Sequence, residues 1–160
     1  KSWERDPAFY NTVWTAQSDT PAHEGPTHHG LVVLWTYTYP LNAASQKKLA
    51  GELAIIPPFL EQARTNLTGN ARDLWMAGIG TMKQQAKDLE DLDKKTAGAG
   101  RALKGAIRAA HEATNEFVAW LEREAPSKTG PSGVGKDNYT WSLRNVHLIP
   151  LTWDDEVAIL

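Results

Sequence analysis

Apolar side chains recur through the middle of the chain at alternating steps of three and four. Leu49, Leu53, Ile56, Leu60, Ala63 and Leu67 form one run, and Trp75, Ile79, Met82, Ala86 and Leu89 a second. Leu103, Ile107, Ala110, Thr114, Phe117 and Leu121 form a third. That spacing lays one apolar stripe along one face of an α-helix, and a repeat near 3.5 residues suits helices crossing at shallow angles. The opposite faces carry Lys, Gln, Glu and Asp. The pattern predicts an all-α fold of antiparallel helical hairpins, with helices close to 45–68, 71–95 and 101–125. The stripes predict burial of Leu53, Leu60, Trp75, Met82, Leu89, Ile107, Phe117 and Leu121. A fully buried Phe117 would make Phe117→Ala cost roughly 3–5 kcal/mol.

The residues between the stripes agree with these limits. Ser45 is placed to cap the first helix, Gly69-Asn70 divides the first from the second, and Gly98-Ala99-Gly100 divides the second from the third. Pro126 stops the third. Pro57-Pro58 removes two N–H donors inside the first helix and predicts a kink or break, with two shorter pieces meeting at an angle and Pro57 near the start of the second. Leu31 to Tyr39 is rich in β-branched and aromatic residues, which favours a strand. A helical face through Leu31, Leu34, Trp35 and Thr38 fits as well, and with no pairing partner in view the helix is the preferred expectation. Ser127 to Lys136 predicts a loop, Asn138 to Val146 a short helix, and Thr152 with Asp155 a capping-box start to another. The expected organisation is one helical region over 1–160. It has a partly irregular lead-in over 1–44, a three-helix core over 45–125, and over 126–160 a loop, a short helix and a truncated helix start.

Composition narrows the function classes. The 160 residues are 41% hydrophobic and 22% charged, as in a globular chain with a core of its own. A net charge of −2 gives no broad basic field for nucleic acid. No uninterrupted apolar run is long enough to span a bilayer. Cysteine is absent, which removes disulfides and thiolate metal sites. Both ends look cut: Val157-Ala158-Ile159-Leu160 breaks off about one turn into the last helix, so an exposed apolar face and self-association are expected.

Several stretches resemble chemical motifs. Gly130-Pro131-Ser132-Gly133-Val134-Gly135-Lys136 has the spacing of a phosphate-cradling loop. Asp137 stands where a magnesium-binding hydroxyl belongs, and a helix rather than a strand precedes it, so a solvent loop without nucleotide affinity is expected. His111-Glu112 opens like HExxH, but Asn115 occupies the position of the second histidine. His23-Glu24-Gly25-Pro26-Thr27-His28-His29 gathers three histidines and a carboxylate. Gly25-Pro26 breaks a shared helix face, yet a loop could bring His23 and His28 round a metal; the alternative is a polar surface loop. Asn66-Leu67-Thr68 and Asn138-Tyr139-Thr140 match the glycosylation triplet, from which nothing is drawn. Of seven tryptophans, Trp75 and Trp120 fall on or beside the stripes and read as core. Tyr139, Trp141 and Trp153 cluster after the loop and are the candidate residues of a groove.

The order of residues carries a resemblance. Glu4-Arg5-Asp6-Pro7-Ala8-Phe9-Tyr10, then Ile56-Pro57-Pro58-Phe59-Leu60-Glu61-Gln62-Ala63-Arg64-Thr65-Asn66-Leu67, then Arg72 and Trp75 stand in collinear order. Phe117-Val118-Ala119-Trp120-Leu121-Glu122, Gly135 to Tyr139 and Leu151-Thr152-Trp153-Asp154-Asp155-Glu156 continue it. Together they resemble the N-terminal half of a bacterial zinc-peptidase-like family, catalogued as domain of unknown function 885. The resemblance covers most of the chain except the histidine-rich loop. It implies a fragment of a larger helical metallopeptidase-like fold, whose HExxPGHH zinc motif lies in a C-terminal half downstream. No histidine of this chain aligns with that motif. The resemblance therefore implies no catalytic, cofactor-binding or metal residue in this segment. Zinc and a general base would sit in the C-terminal half, and this half would shape the groove for a peptide substrate. It implies a bacterial source, and the compartment, an extracytoplasmic one included, stays open. The different-class alternative is a stand-alone helical binding module without catalysis.

Overall fold

The computed structural model describes residues 2–16 and 32–160, and it is all-α apart from one minimal strand pair. The described chain divides into two compact units, residues 1–130 and 131–160.

In the first unit a short helix α1 (Ser2–Arg5) leads into a 3-10 turn, Pro7–Tyr10. Asp6 starts that turn because its carboxylate accepts the N–H of Ala8 at 2.9 Å, while Pro7 has no N–H to satisfy. Strand β1 (Val13–Trp14) runs parallel to strand β2 (Val32–Val33), with Val13 opposite Val32. A second 3-10 turn, Leu34–Thr36, follows directly. The helical expectation for residues 31–39 is thereby corrected: Val32–Val33 is extended and has a partner. That partner is a two-residue strand, too short to give any periodicity of its own.

Helix α2 (Ala43–Leu53) is capped by Asn42, whose side chain accepts the N–H of Ser45 at 2.8 Å, so the cap is Asn42 and not Ser45. A turn at Ala54–Ile55 separates it from α3 (Ile56–Asn66). The double proline sits in the first turn of α3, where backbone N–H groups have no intrahelical acceptor in any case, so it opens a helix instead of bending one. Helices α4 (Arg72–Lys95) and α5 (Arg101–Glu124) form an antiparallel hairpin. Trp75 at the start of α4 donates its indole N–H to the Leu121 carbonyl near the end of α5 at 2.9 Å. At the other end Lys104 binds the Asp93 carboxylate at 2.7 Å. Helices α2, α3 and α4 all pack on α5.

Every position that the stripes mark for burial is buried. The core also takes Tyr10, Val13, Val32 and Leu34 from the lead-in, which the helical spacing left outside. An aromatic chain runs through it: Tyr10 lies 5.3 Å from Phe59 and 6.5 Å from Phe117, ring centre to ring centre. Phe117 stacks on Trp120 at 5.6 Å, and Trp120 meets Trp75 at 5.5 Å. Gln85, which the pattern assigns to a polar face, is buried and clamps the lead-in. Its Oε1 accepts the N–H groups of Thr12 (2.7 Å) and Val13 (3.2 Å), and its Nε2 donates to the Thr114 hydroxyl at 3.1 Å.

The second unit holds α6 (Lys136–Asn145) and α7 (Trp153–Ile159). The capping box at the start of α7 is present: Asp155 N–H donates to the Thr152 hydroxyl at 3.1 Å, and Thr152 N–H to the Asp155 carboxylate at 2.7 Å. No helix among the described residues is long and apolar enough to cross a membrane.

Candidate functional site

The candidate groove residues fall in the second unit. Tyr139 is on α6, and its hydroxyl donates to the Glu156 carboxylate of α7 at 2.7 Å. That bond, with burial and the Glu156 charge adding to it, holds the phenol above its ordinary pKa of 10.0. Trp153 begins α7; its N–H donates to the Thr140 hydroxyl at 3.1 Å, and the Lys136 ammonium lies 3.7 Å from its ring centre. Trp141 points away from these contacts, 61% exposed. A hollow of about 230 Å³ in the same unit is lined by Tyr139, Ser142, Leu143, His147 and Ile149. Tyr139 is thus brought to a concave surface, and Trp141 and Trp153 stand outside its lining.

The other motif residues are accounted for locally. Lys136, the lysine of the phosphate-loop-like stretch, pairs with Asp154 at 2.9 Å as well as covering Trp153. A 3-10 turn, Ala125–Ser127, precedes that stretch. The Asn115 amide lies 3.1 Å from His111 Nε2, one turn along α5. His23 and His28 lie outside the described residues. Among the described residues no group of three or more His, Cys, Asp or Glu side chains is placed to share a metal ion.

The first unit contains a site that the motif reading missed. After the turn at Leu34–Thr36 the backbone is extended at Tyr37 (φ −90°, ψ 133°). Trp35 from that turn, with Tyr37 and Tyr39 from the chain that follows it, lines one wall of a hollow. The other wall is one face of α4, where Asp88, Asp91, Leu92 and Lys95 follow at steps of three, one and three. The hollow measures about 370 Å³ and is completed by Thr15 and Leu34.

Its aromatic wall is pinned from behind. The Tyr37 hydroxyl donates to Glu52 on α2 at 2.7 Å, and burial together with that carboxylate drives the phenol far above its ordinary pKa. Burial alone raises Tyr39. Both rings are therefore neutral phenols at physiological pH. The Lys95 ammonium sits over the Tyr39 ring, 3.8 Å from its centre. Across from them, Asp88 accepts from Gln84 at 2.9 Å and Asp91 pairs with Lys94 at 3.2 Å, an exposed contact. The signal in the sequence was the density of aromatic residues at Trp35, Tyr37 and Tyr39, which a helical reading of the stretch spreads over several faces. No family model, curated protein or solved structure matches this chain.

Proposed function

We propose that this chain is the non-catalytic, N-terminal helical part of a zinc-dependent hydrolase acting on peptides, with zinc and general base supplied by a C-terminal half. The observation that carries the reading is where the resembling blocks meet. Phe9 and Tyr10, Phe59, Trp75, and Phe117 with Trp120 come from four stretches spread over more than a hundred residues, and they converge in one continuous aromatic core. Collinear residues that pack against one another support a shared fold, whereas scattered surface matches would not. The same convergence fits a supporting role, because these residues are spent on packing and leave no reactive group.

In this reading Tyr139 lines the peptide groove through the hollow of the second unit, and Trp141 and Trp153, outside that lining, offer their rings to the flanking parts of the peptide. The exposed apolar side chains of residues 131–160, among them Val146, Leu148, Val157 and Ile159, are the surface on which the C-terminal half docks. The experiment is to read the gene downstream of Leu160 and purify the whole product. The expected product carries HExxPGHH, holds stoichiometric zinc by mass spectrometry and cleaves a quenched peptide pool. In it, Trp141→Ala raises KM several-fold with kcat nearly unchanged. A frame without that motif, or a product without zinc, removes the hydrolase reading and leaves the stand-alone binding module, for which the hollow beside α4 is the relevant surface.

A further inference from the structure

We propose that the hollow between the Trp35–Tyr39 segment and α4 is a binding site for a small organic cation of the alkylammonium class. The inference stands on the hollow itself and not on the hydrolase reading. Its volume of about 370 Å³ falls in the range of small-ligand sites. Three aromatic rings form one wall, and ring faces carry negative electrostatic potential that attracts cations. Of the two lining carboxylates, Asp91 pairs with Lys94 and Asp88 accepts from the Gln84 amide, so Asp88 is the counter-charge offered to a cation.

The fold already displays the recognition: the Lys95 ammonium rests 3.8 Å from the centre of the Tyr39 ring. Trp35 is 46% exposed at the rim, so its ring remains accessible. Tyr37 is fixed by its bond to Glu52, so binding orders little that is not already ordered. The Lys48 ammonium lies 5.5 Å from the centre of the Tyr37 ring, so the ligand's ammonium lies against Trp35 with Asp88 as its counter-charge. Lys95 is a built-in competitor for the same wall.

The test follows the indole N–H resonance of Trp35 in the ¹⁵N spectrum of the 160-residue chain, assigned with Trp35→Phe. Choline is the probe, and its uncharged isostere 3,3-dimethylbutan-1-ol is the control. Choline should shift that resonance saturably with a Kd on the order of 1 mM, and the alcohol should not. Asp88→Asn should weaken choline by about tenfold. Lys95→Met should tighten it, an outcome that no general loss of structure could produce. A blocked lysine amide, run beside choline, separates a primary ammonium from a quaternary one by which of the two binds more tightly. An unmoved Trp35 resonance, an equal response to the alcohol, or a Lys95→Met variant that binds more weakly overturns the proposal.

Discussion

Gln85 sits on α4 one residue before Ala86 of the apolar stripe, yet it is 1% exposed. A buried amide is tolerated only when its polar atoms find partners. Here they find the N–H groups of Thr12 and Val13 and the hydroxyl of Thr114, so one side chain ties the lead-in to both long helices. Gln85→Leu keeps the volume and strands the two N–H groups. It should cost roughly 1–3 kcal/mol for each of them, read from urea unfolding, and the Thr12 and Val13 amides should lose protection from hydrogen exchange first. A variant as stable as the parent chain would mean that water replaces the amide at no loss. The sequence could not mark Gln85, because a glutamine beside a stripe looks the same whether it is solvated or satisfied inside. It did mark Trp75, Phe117 and Leu121, because their burial follows from periodicity alone.

Among the elements, the long helices and the two short ones after Gly135 were legible, and the short elements of the lead-in were not. Helices α4 and α5, of 24 residues each, lie within a residue of the expected limits, since the apolar spacing repeats from Trp75 to Leu89 and from Leu103 to Leu121. The stretch from Val32 was misread because only Val32–Val33 pairs as a strand before a 3-10 turn, and three apolar positions also fit a helical face. Packing against the lead-in makes a sharp prediction on α4. A Cβ at Gly78 would come within 2.6 Å of Pro7 Cβ and 2.9 Å of the Ala8 nitrogen, whereas one at Gly80 meets nothing within 4 Å. Gly80→Ala should therefore raise stability by about 0.5–1 kcal/mol through helix propensity. Gly78→Ala should lower it despite the same propensity gain, by roughly 1–3 kcal/mol as for other overpacked sites. Thermal midpoints moving in opposite directions would bear this out; a rise in both would place the 3-10 turn elsewhere. On α7, the bonds from the Thr152 hydroxyl and then its N–H hold the Asp155 carboxyl below its ordinary value of 3.8. A carboxylate with a lowered folded-state pKa contributes stability above 3.8 and loses it as pH falls through the lower folded value. The Thr152 and Asp155 amide shifts should move together in that acid window, and Asp155→Asn should flatten both curves. Unchanged titration in the variant would assign the transition to another group.

For the whole molecule, the core cluster of the first unit runs, among the described residues, from Tyr10 to Leu121. The end of the first unit is tied down from within. Ala71 and Gly130 form a bridge, Thr129 N–H donates to the Asn70 side chain at 2.7 Å, and the Lys128 ammonium lies 4.0 Å from the centre of the Trp75 ring. A chain ending after Gly130 keeps all of these contacts. Helices α6 and α7 have only ten and seven residues, and isolated helices shorter than about 12–15 residues are marginal in water. Residues 1–130 alone should therefore unfold cooperatively, with a thermal midpoint within a few degrees of the 160-residue chain. A peptide of residues 131–160 should show little helix by circular dichroism. Loss of cooperativity on removing the last thirty residues would mean that the aromatic core depends on them. A strongly helical isolated peptide would mean that the capping box and the Tyr139–Glu156 bond suffice where length does not. Either result would change which part of the chain is taken as the folding unit.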